Sequence, residues 1–379
     1  MPWFSELSRT LQKFGAKPAR AERWPLPGFS ALCGPDFPDI PVTIKNISSS
    51  GIYIGLVEPI PVGQLVNLEL RMEGDAKQHP ELETMVRARV ARRDESGAGL
   101  AFVLPQGLDP ALWEVLIRGI AILADRDQVA DLFRALRTVL FLCRLCPDGA
   151  EEAILLLDGR LDRERMTTLA KIVSEAEDRL LAEPGADDLR ADPKLMEHLL
   201  RNGSWAPDAL TMLLWVGLLV SSCSTATPGD ANRILADLLI HITPHQARIL
   251  LYACEHALNH APALGNALFD PVILYPHEIV KVTGVTDLSR NATDLAYLFN
   301  LGLIANLFDF TSYREIDRFD ITPSRLGIAL YSHCQGKRNA IDPQLVEAAE
   351  RCLAAMFPPP LPCALENFTP LAPDSSRQT

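Results

Sequence analysis

The stretch Ile44-Lys-Asn-Ile-Ser-Ser-Ser-Gly-Ile-Tyr-Ile54 changes character twice. Val42 and Ile44 lead in as an apolar alternation, a polar block with one glycine interrupts it, and Ile52 and Ile54 resume it. Alternation on both sides of a glycine reads as two β-strands meeting at a special backbone position. Gly51 stands where the chain needs either a positive φ or room for another group to approach the backbone closely. Asn46 and Ser48 are two residues apart, so on an extended chain both side chains project from one face. Two short hydrogen-bonding side chains beside bare backbone make a small polar platform. The plainer alternative is a strand–bulge–strand in which Asn and Ser serve turn chemistry.

Upstream, residues 15–41 are rich in proline and glycine and carry Arg20, Arg23 and Trp24, as expected of a loop feeding a first strand near Phe29–Cys33. Further strands are expected at about 42–47, 51–57, 65–72, 85–93 and 98–103, separated by Pro59, Pro61, Gly63 and the polar segment 73–80. Short strands at regular spacing predict a small closed barrel, which leaves no free edge. The first twenty residues hold no apolar core long enough for a signal peptide. They read as an amphipathic helix, with Trp3, Leu7, Leu11 and Phe14 on the side that docks on the barrel. Trp113–Leu123 reads as a helix that closes the barrel or leads out of it.

From about residue 126 the apolar period becomes 3.6 and stays there. Helices are expected over Val129–Cys146, Glu151–Leu157, Arg163–Leu181, Pro193–Leu200, Pro207–Ser222 and Asp230–His241, several opened by an Asp or Ser cap or an early proline. Next come a helix from Thr243, a short one over His277–Thr283 with Gly284 as the turn, and a third over Ser289–Leu301 capped by Gly302. Leu303–Phe310 and Arg314–Ile321 alternate as a hairpin, and Pro323–Cys334 is a final helix of this group. Helix–helix–helix–hairpin–helix is a winged helix-turn-helix order. The expected class is therefore α+β multidomain, in four parts. Residues 1–125 form a six-stranded barrel with its N-terminal helix, 126–242 an all-α domain, 243–340 a winged-helix-like part, and 341–379 a helix with a disordered proline-rich tail.

The chain of 379 residues has a formal net charge of −12, which argues against a general nucleic-acid or anionic-membrane binder. Its most apolar run, Leu210–Val220, is about half the length that a bilayer span requires. Eight cysteines lie scattered through expected helices without a framework spacing, so reduced thiols and a cytoplasmic setting are expected.

The order Asn46-x-Ser48-x-x-Gly51, followed by a second hairpin and by Gly99-Leu-Ala-Phe-Val103, resembles the [Asp/Asn]-x-Ser-x-x-Gly signature of PilZ domains, bacterial β-barrel receptors for cyclic di-GMP. That family pairs the signature with Arg-x-x-x-Arg just before the first strand. The resemblance implies cyclic di-GMP as the ligand and Arg20, Arg23, Asn46, Ser48 and Gly51 as its site. The planar guanidinium fork suits a guanine edge or a phosphate. Here the loop reads Arg20-Ala-Glu-Arg23-Trp24, one residue short, with Trp24 in the fifth position. Two outcomes follow. Either both arginines still reach the platform, with Trp24 stacking on a base, or the barrel is a degenerate PilZ module acting as a protein–protein adaptor. Arg87, Arg89 and Arg93 alternate along a later strand as a second basic strip, read first as solvated charge.

Residues from about 190 to 336 resemble the abortive-infection alpha (Abi-alpha) family of bacterial defence proteins. The matching stretches are Asp192-Pro-Lys-Leu, Leu214-Trp-Val-Gly-Leu-Leu219, Leu238–Ala253, Tyr297-Leu-Phe-Asn-Leu-Gly-Leu-Ile304 and Ile321-Thr-Pro-Ser-Arg-Leu-Gly327 with His333-Cys334. That resemblance implies a tie to phage defence and brings no catalytic residues; a protein partner is expected separately for the helical part. The expected recognition helix has Arg290 as its one basic residue against Asp287 and Asp294, so DNA binding is the lesser alternative.

No metal or cofactor is expected. His241 and His245 straddle the helix start at Thr243-Pro244, and His256/His260 lacks the glutamate of the zincin motif. Cys143-x-x-Cys146 has no companion pair and sits in an apolar helix. With no phosphate loop, nucleophile elbow or working carboxylate pair, the chain reads as a non-enzymatic receptor whose barrel regulates a helical output domain.

Overall fold

A computed structural model describes residues 22–35, 38–55, 60–73, 80–123, 125–148, 150, 162–224, 231–259, 270–305, 318–338 and 341–357. The expected N-terminal helix, the helix over 151–157 and the proline-rich tail lie outside these residues, as does Arg20.

Six antiparallel strands form a closed barrel in the order β1-β2-β3-β6-β5-β4. They are β1 (Phe29–Gly34), β2 (Ile40–Ser48), β3 (Gly51–Gly55), β4 (Leu65–Met72), β5 (Glu83–Asp94) and β6 (Gly97–Phe102). The alternation drives the closure: Val66, Leu68, Leu70 and Met72 of β4 and Val86, Ala88 and Val90 of β5 point inward and are buried. Pairing of β1 with β4, from Phe29↔Met72 to Gly34↔Asn67, closes the ring.

Helix α1 (Pro110–Ile122) is capped by Asp109, whose side chain accepts from the Ala111 amide, and buries Trp113, Leu116, Ile117 and Ile120. Helix α2 (Arg126–Leu145) belongs to two cores at once. Val129–Val139 add to the barrel core, with Phe133 ring-packed on Phe29 at 5.4 Å. Phe141, Leu142 and Leu145, toward its C-terminal end, join the helical core.

That second core is built from α3 (Arg163–Leu181), α4 (Pro193–Gly203), α5 (Ala209–Ser222), α6 (Ala231–Ile240), α7 (Pro244–Asn259), α8 (Pro276–Thr283), α9 (Leu288–Asn300), α10 (Arg325–Cys334) and α11 (Pro343–Met356), making eleven α-helices among the described residues. Asp125, Asp162, Asp192, Asp208, Asp287, Ser324 and Asp342 each accept from first-turn amides, as the cap residues in the sequence predict. Apolar α5 lies at the centre, so close to α10 that a Cβ at Gly217 would fall on the Cys334 carbonyl. No helix among the described residues is long and apolar enough to cross a membrane.

Two short strands separate the C-terminal helices from a purely helical order. β7 (Ile273–Leu274), just before α8, pairs antiparallel with β8 (Phe319–Asp320), and Ile304 bridges Pro323. The tip of the expected hairpin, 306–317, is outside the described residues. The sequence reading missed β7 because two residues carry no periodicity.

Charge clamps the two cores together. Buried Arg137 of α2 donates to the Glu83 carbonyl of β5 at 2.7 Å and to Glu177 of α3 at 3.2 Å. Arg134 faces Asp131 and Glu81, and Arg163 of α3 meets Asp131 at 2.6 Å. Truncating one member of such a buried set strands the others. Arg137→Ala should therefore cost about 3 kcal/mol, measured as a lower urea midpoint, whereas exposed Arg351→Ala should leave the midpoint in place.

Candidate functional site

The signature residues gather on the outer wall of the barrel where β2 turns into β3. Ser48 lies opposite Gly51, and Asn46 opposite Tyr53. A bulge between Ile44 and Asn46 turns Ile47 into the core and leaves Asn46 on the half-buried outer side. The Ser48 hydroxyl donates to the Gly51 carbonyl at 3.0 Å and lies 3.3 Å from Ser50 Oγ, so it also closes the turn. Ser48 is buried, so its hydroxyl serves the turn, and Asn46 lies half-buried beside it.

Of the two reasons for glycine at 51, close approach holds. Its φ is not positive, and a Cβ there would stand 2.2 Å from the Leu100 carbonyl oxygen of β6. The turn itself is held from below. Buried Trp113 of α1 donates its indole N–H to the Ser49 carbonyl at 2.7 Å, Phe102 N donates to the Ser50 carbonyl, and the Phe102 and Trp113 rings meet edge-on at 5.1 Å.

Arg23 and Trp24 reach the same place. Trp24 and Ile47 exchange both backbone hydrogen bonds at 2.8 Å, an antiparallel bridge whose register sets exposed Arg23 across from Ser48. Arg23, Asn46, Ser48 and Gly51 are therefore neighbours on one wall, while Arg20 is outside the described residues.

Two rows of residues cross the wall from this point. Ser48, Gly51, Ala101 and Arg89 form one, and Asn46, Tyr53, Gly99 and Arg92 the other. The second row shows what the sequence reading missed. Simple alternation along β5 selects Arg87, Arg89 and Arg93. A register shift between Val90 and Arg92 instead sets Arg92 opposite Gly99, and Arg93 opposite buried Ala98. The Arg92 guanidinium lies 5.7 Å and Lys45 Nζ 5.3 Å from the Tyr53 ring, and Lys45 also donates to the Ser96 carbonyl. The Tyr53 hydroxyl donates to Asp94 at 2.5 Å. That bond, together with those from Ser96, holds the Asp94 carboxyl well below the usual range, at about 2.

Elsewhere, the recognition-helix candidate α9 buries Leu295 and Leu298, with Leu301 and Leu303 buried just beyond it and Tyr297 and Phe299 half-buried. Its Asp287 caps the helix and Asp294 accepts from Gln246 at 2.8 Å, leaving exposed Arg290 on the outer side. His241 stacks on Phe357 at 3.8 Å, and burial lowers its pKa; His260 is outside the described residues. Among the described residues no three His, Cys, Asp or Glu side chains come together as metal ligands. Cys143 and Cys146 are buried, and desolvation pushes their thiols up to about 11 and about 12.

Set beside known proteins, the PilZ domain family model matches residues 19–121, a span that holds the barrel, Arg20 and Arg23, and nearly all of α1. Neither the comparison with curated proteins nor that with solved structures gives a match.

Two outcomes test this geometry. Gly51→Ala should destabilise the barrel by about 3 kcal/mol, because the contact it meets is backbone that cannot swing aside, read as a lower thermal midpoint. N-ethylmaleimide applied to the native chain and mapped by mass spectrometry should label half-exposed Cys352 ahead of Cys33, Cys143, Cys146, Cys223, Cys254 and Cys334, which are all buried.

Proposed function

We propose that the chain is a cyclic di-GMP receptor in which the barrel binds the dinucleotide and regulates a helical output domain. The observation that carries this reading is the Trp24–Ile47 bridge. It sets Arg23 beside Asn46, Ser48 and Gly51 within the span that the PilZ model matches. In this reading Arg23 and Arg20 grip guanine or phosphate, Asn46 and Ser48 hydrogen-bond the base, and Gly51 lets it lie against the backbone. The output is a binding coupling rather than a reaction: a ligand ordering the loop pulls on the turn that Trp113 holds, and so on α1 and α2.

The shortened Arg-x-x-Arg spacing favours a second reading, a PilZ-type adaptor that binds a protein partner without nucleotide. The likeness of residues 190–336 to Abi-alpha proteins points that adaptor toward phage defence. For 243–340 we retain a winged-helix reading, supported by the order α7, β7, α8, α9, β8, α10. We assign it to protein contact ahead of DNA, since α9 offers a single cation.

Isothermal titration of cyclic di-GMP into the full-length protein separates the readings. Micromolar or tighter binding, weakened at least about 30-fold by Arg20→Ala/Arg23→Ala through loss of charge-assisted bonds of about 2 kcal/mol or more, is the expected result. Absence of heat and of any thermal shift at saturating ligand would leave the adaptor.

A further inference from the structure

We infer that Arg92 is a ligand-binding residue of the barrel, a guanidinium that β5 supplies to the phosphodiester of a cyclic dinucleotide where the loop carries its arginines at shortened spacing. This rests on the receptor reading above and adds a residue to it.

The geometry is specific to this strand. Arg92 lies flat on Gly99: a Cβ at position 99 would stand 2.9 Å from both Cγ and Nε of Arg92. With no side chain in the way, Arg92 crosses β6 and brings its guanidinium over the Tyr53 ring on β3. Tyr53 pairs with Asn46, so the charge ends about one strand spacing, roughly 5 Å, from the strand bearing the signature. The bulge in β5 makes this possible by setting residue 92, in place of Ala91, opposite Gly99 on the row that leads to Asn46.

The cation is available for an anion. No ion pair among the described residues involves Arg92, and the carboxylate close enough to feel it, Asp94, is engaged by Tyr53 Oη, Ser96 N and Ser96 Oγ. Lys45 on the same ring and Arg23 across from Ser48 add positive charge on this wall of a chain whose net charge is −12. A ring already bearing two cations, anchored through its hydroxyl, holds Arg92 extended along the wall, so less side-chain freedom is lost when a phosphate oxygen binds.

The test is titration of cyclic di-GMP into the full-length protein at low and high salt, with Arg92→Ala, Arg92→Lys and Arg87→Ala. Arg87 serves as the control because it is exposed on the same strand but opposite Asn67. Arg92→Ala should weaken binding about tenfold or more and flatten its salt dependence, as expected for a lost phosphate contact. Arg92→Lys should keep the salt dependence while recovering only part of the affinity, and Arg87→Ala should bind as the parent does. An unchanged thermal midpoint for Arg92→Ala confirms that the barrel is intact, as expected for an exposed side chain. Parent binding with an unaltered Arg92→Ala affinity and salt response overturns the inference and leaves the receptor reading standing. A parent that does not bind overturns both.

Discussion

Strand β3 is five residues long and lies unusually close to the backbone of β6. A Cβ at Gly51 would stand 2.2 Å from the Leu100 carbonyl, and one at Gly97 would stand 2.0 Å from the Ile54 carbonyl. The β3–β6 pair thus has a glycine at each end, where the two chains approach more closely than any side chain allows. Much of the wall depends on that approach. It completes the closed ring, leaves Gly51, Gly99 and Ala101 as a low floor between β2 and β5, and fixes the turn from which Asn46 and Ser48 project.

The same turn is where the barrel meets the helices. Its Ser49 carbonyl is held by Trp113, whose helix packs on α2, and α2 is embedded in both hydrophobic cores. Rigid elements with shared packing transmit small displacements because a close-packed core repacks in steps rather than yielding smoothly. The buried arginines of α2 reinforce the joint. Arg137 links β5 to α3, and the Asp131 set links α2 to the start of α3 and, through Arg134, to Glu81.

Net charge is a poor guide to the surface of this molecule. The acidic excess belongs to the chain as a whole, whereas the outer wall carries Lys45, Arg87, Arg89 and Arg92 over neighbours that are mostly small or neutral. Local potential depends on what stands within a Debye length, about 8–10 Å. A patch of this kind can attract an anion on a protein that would repel a polyanion.

Much of this architecture was legible in residue order because it rests on local rules. The two-residue alternation, the glycine and proline punctuation, the aspartate caps and the change of period near residue 126 identified six strands and most of the helices. The glycine at 51 announced a backbone constraint, and Asn46 and Ser48 a shared face. What only the tertiary structure decided depends on partners distant in the chain. These are the β6 carbonyl that makes Gly51 a contact glycine rather than a positive-φ one, the pairing of Ile273–Leu274 with Phe319–Asp320, the division of α2 between two cores, and the bulge that sets Arg92 opposite Gly99 where an unbroken register would set Ala91. Periodicity reports which way a side chain faces only while the register is unbroken, and a bulge is set by the strand across from it.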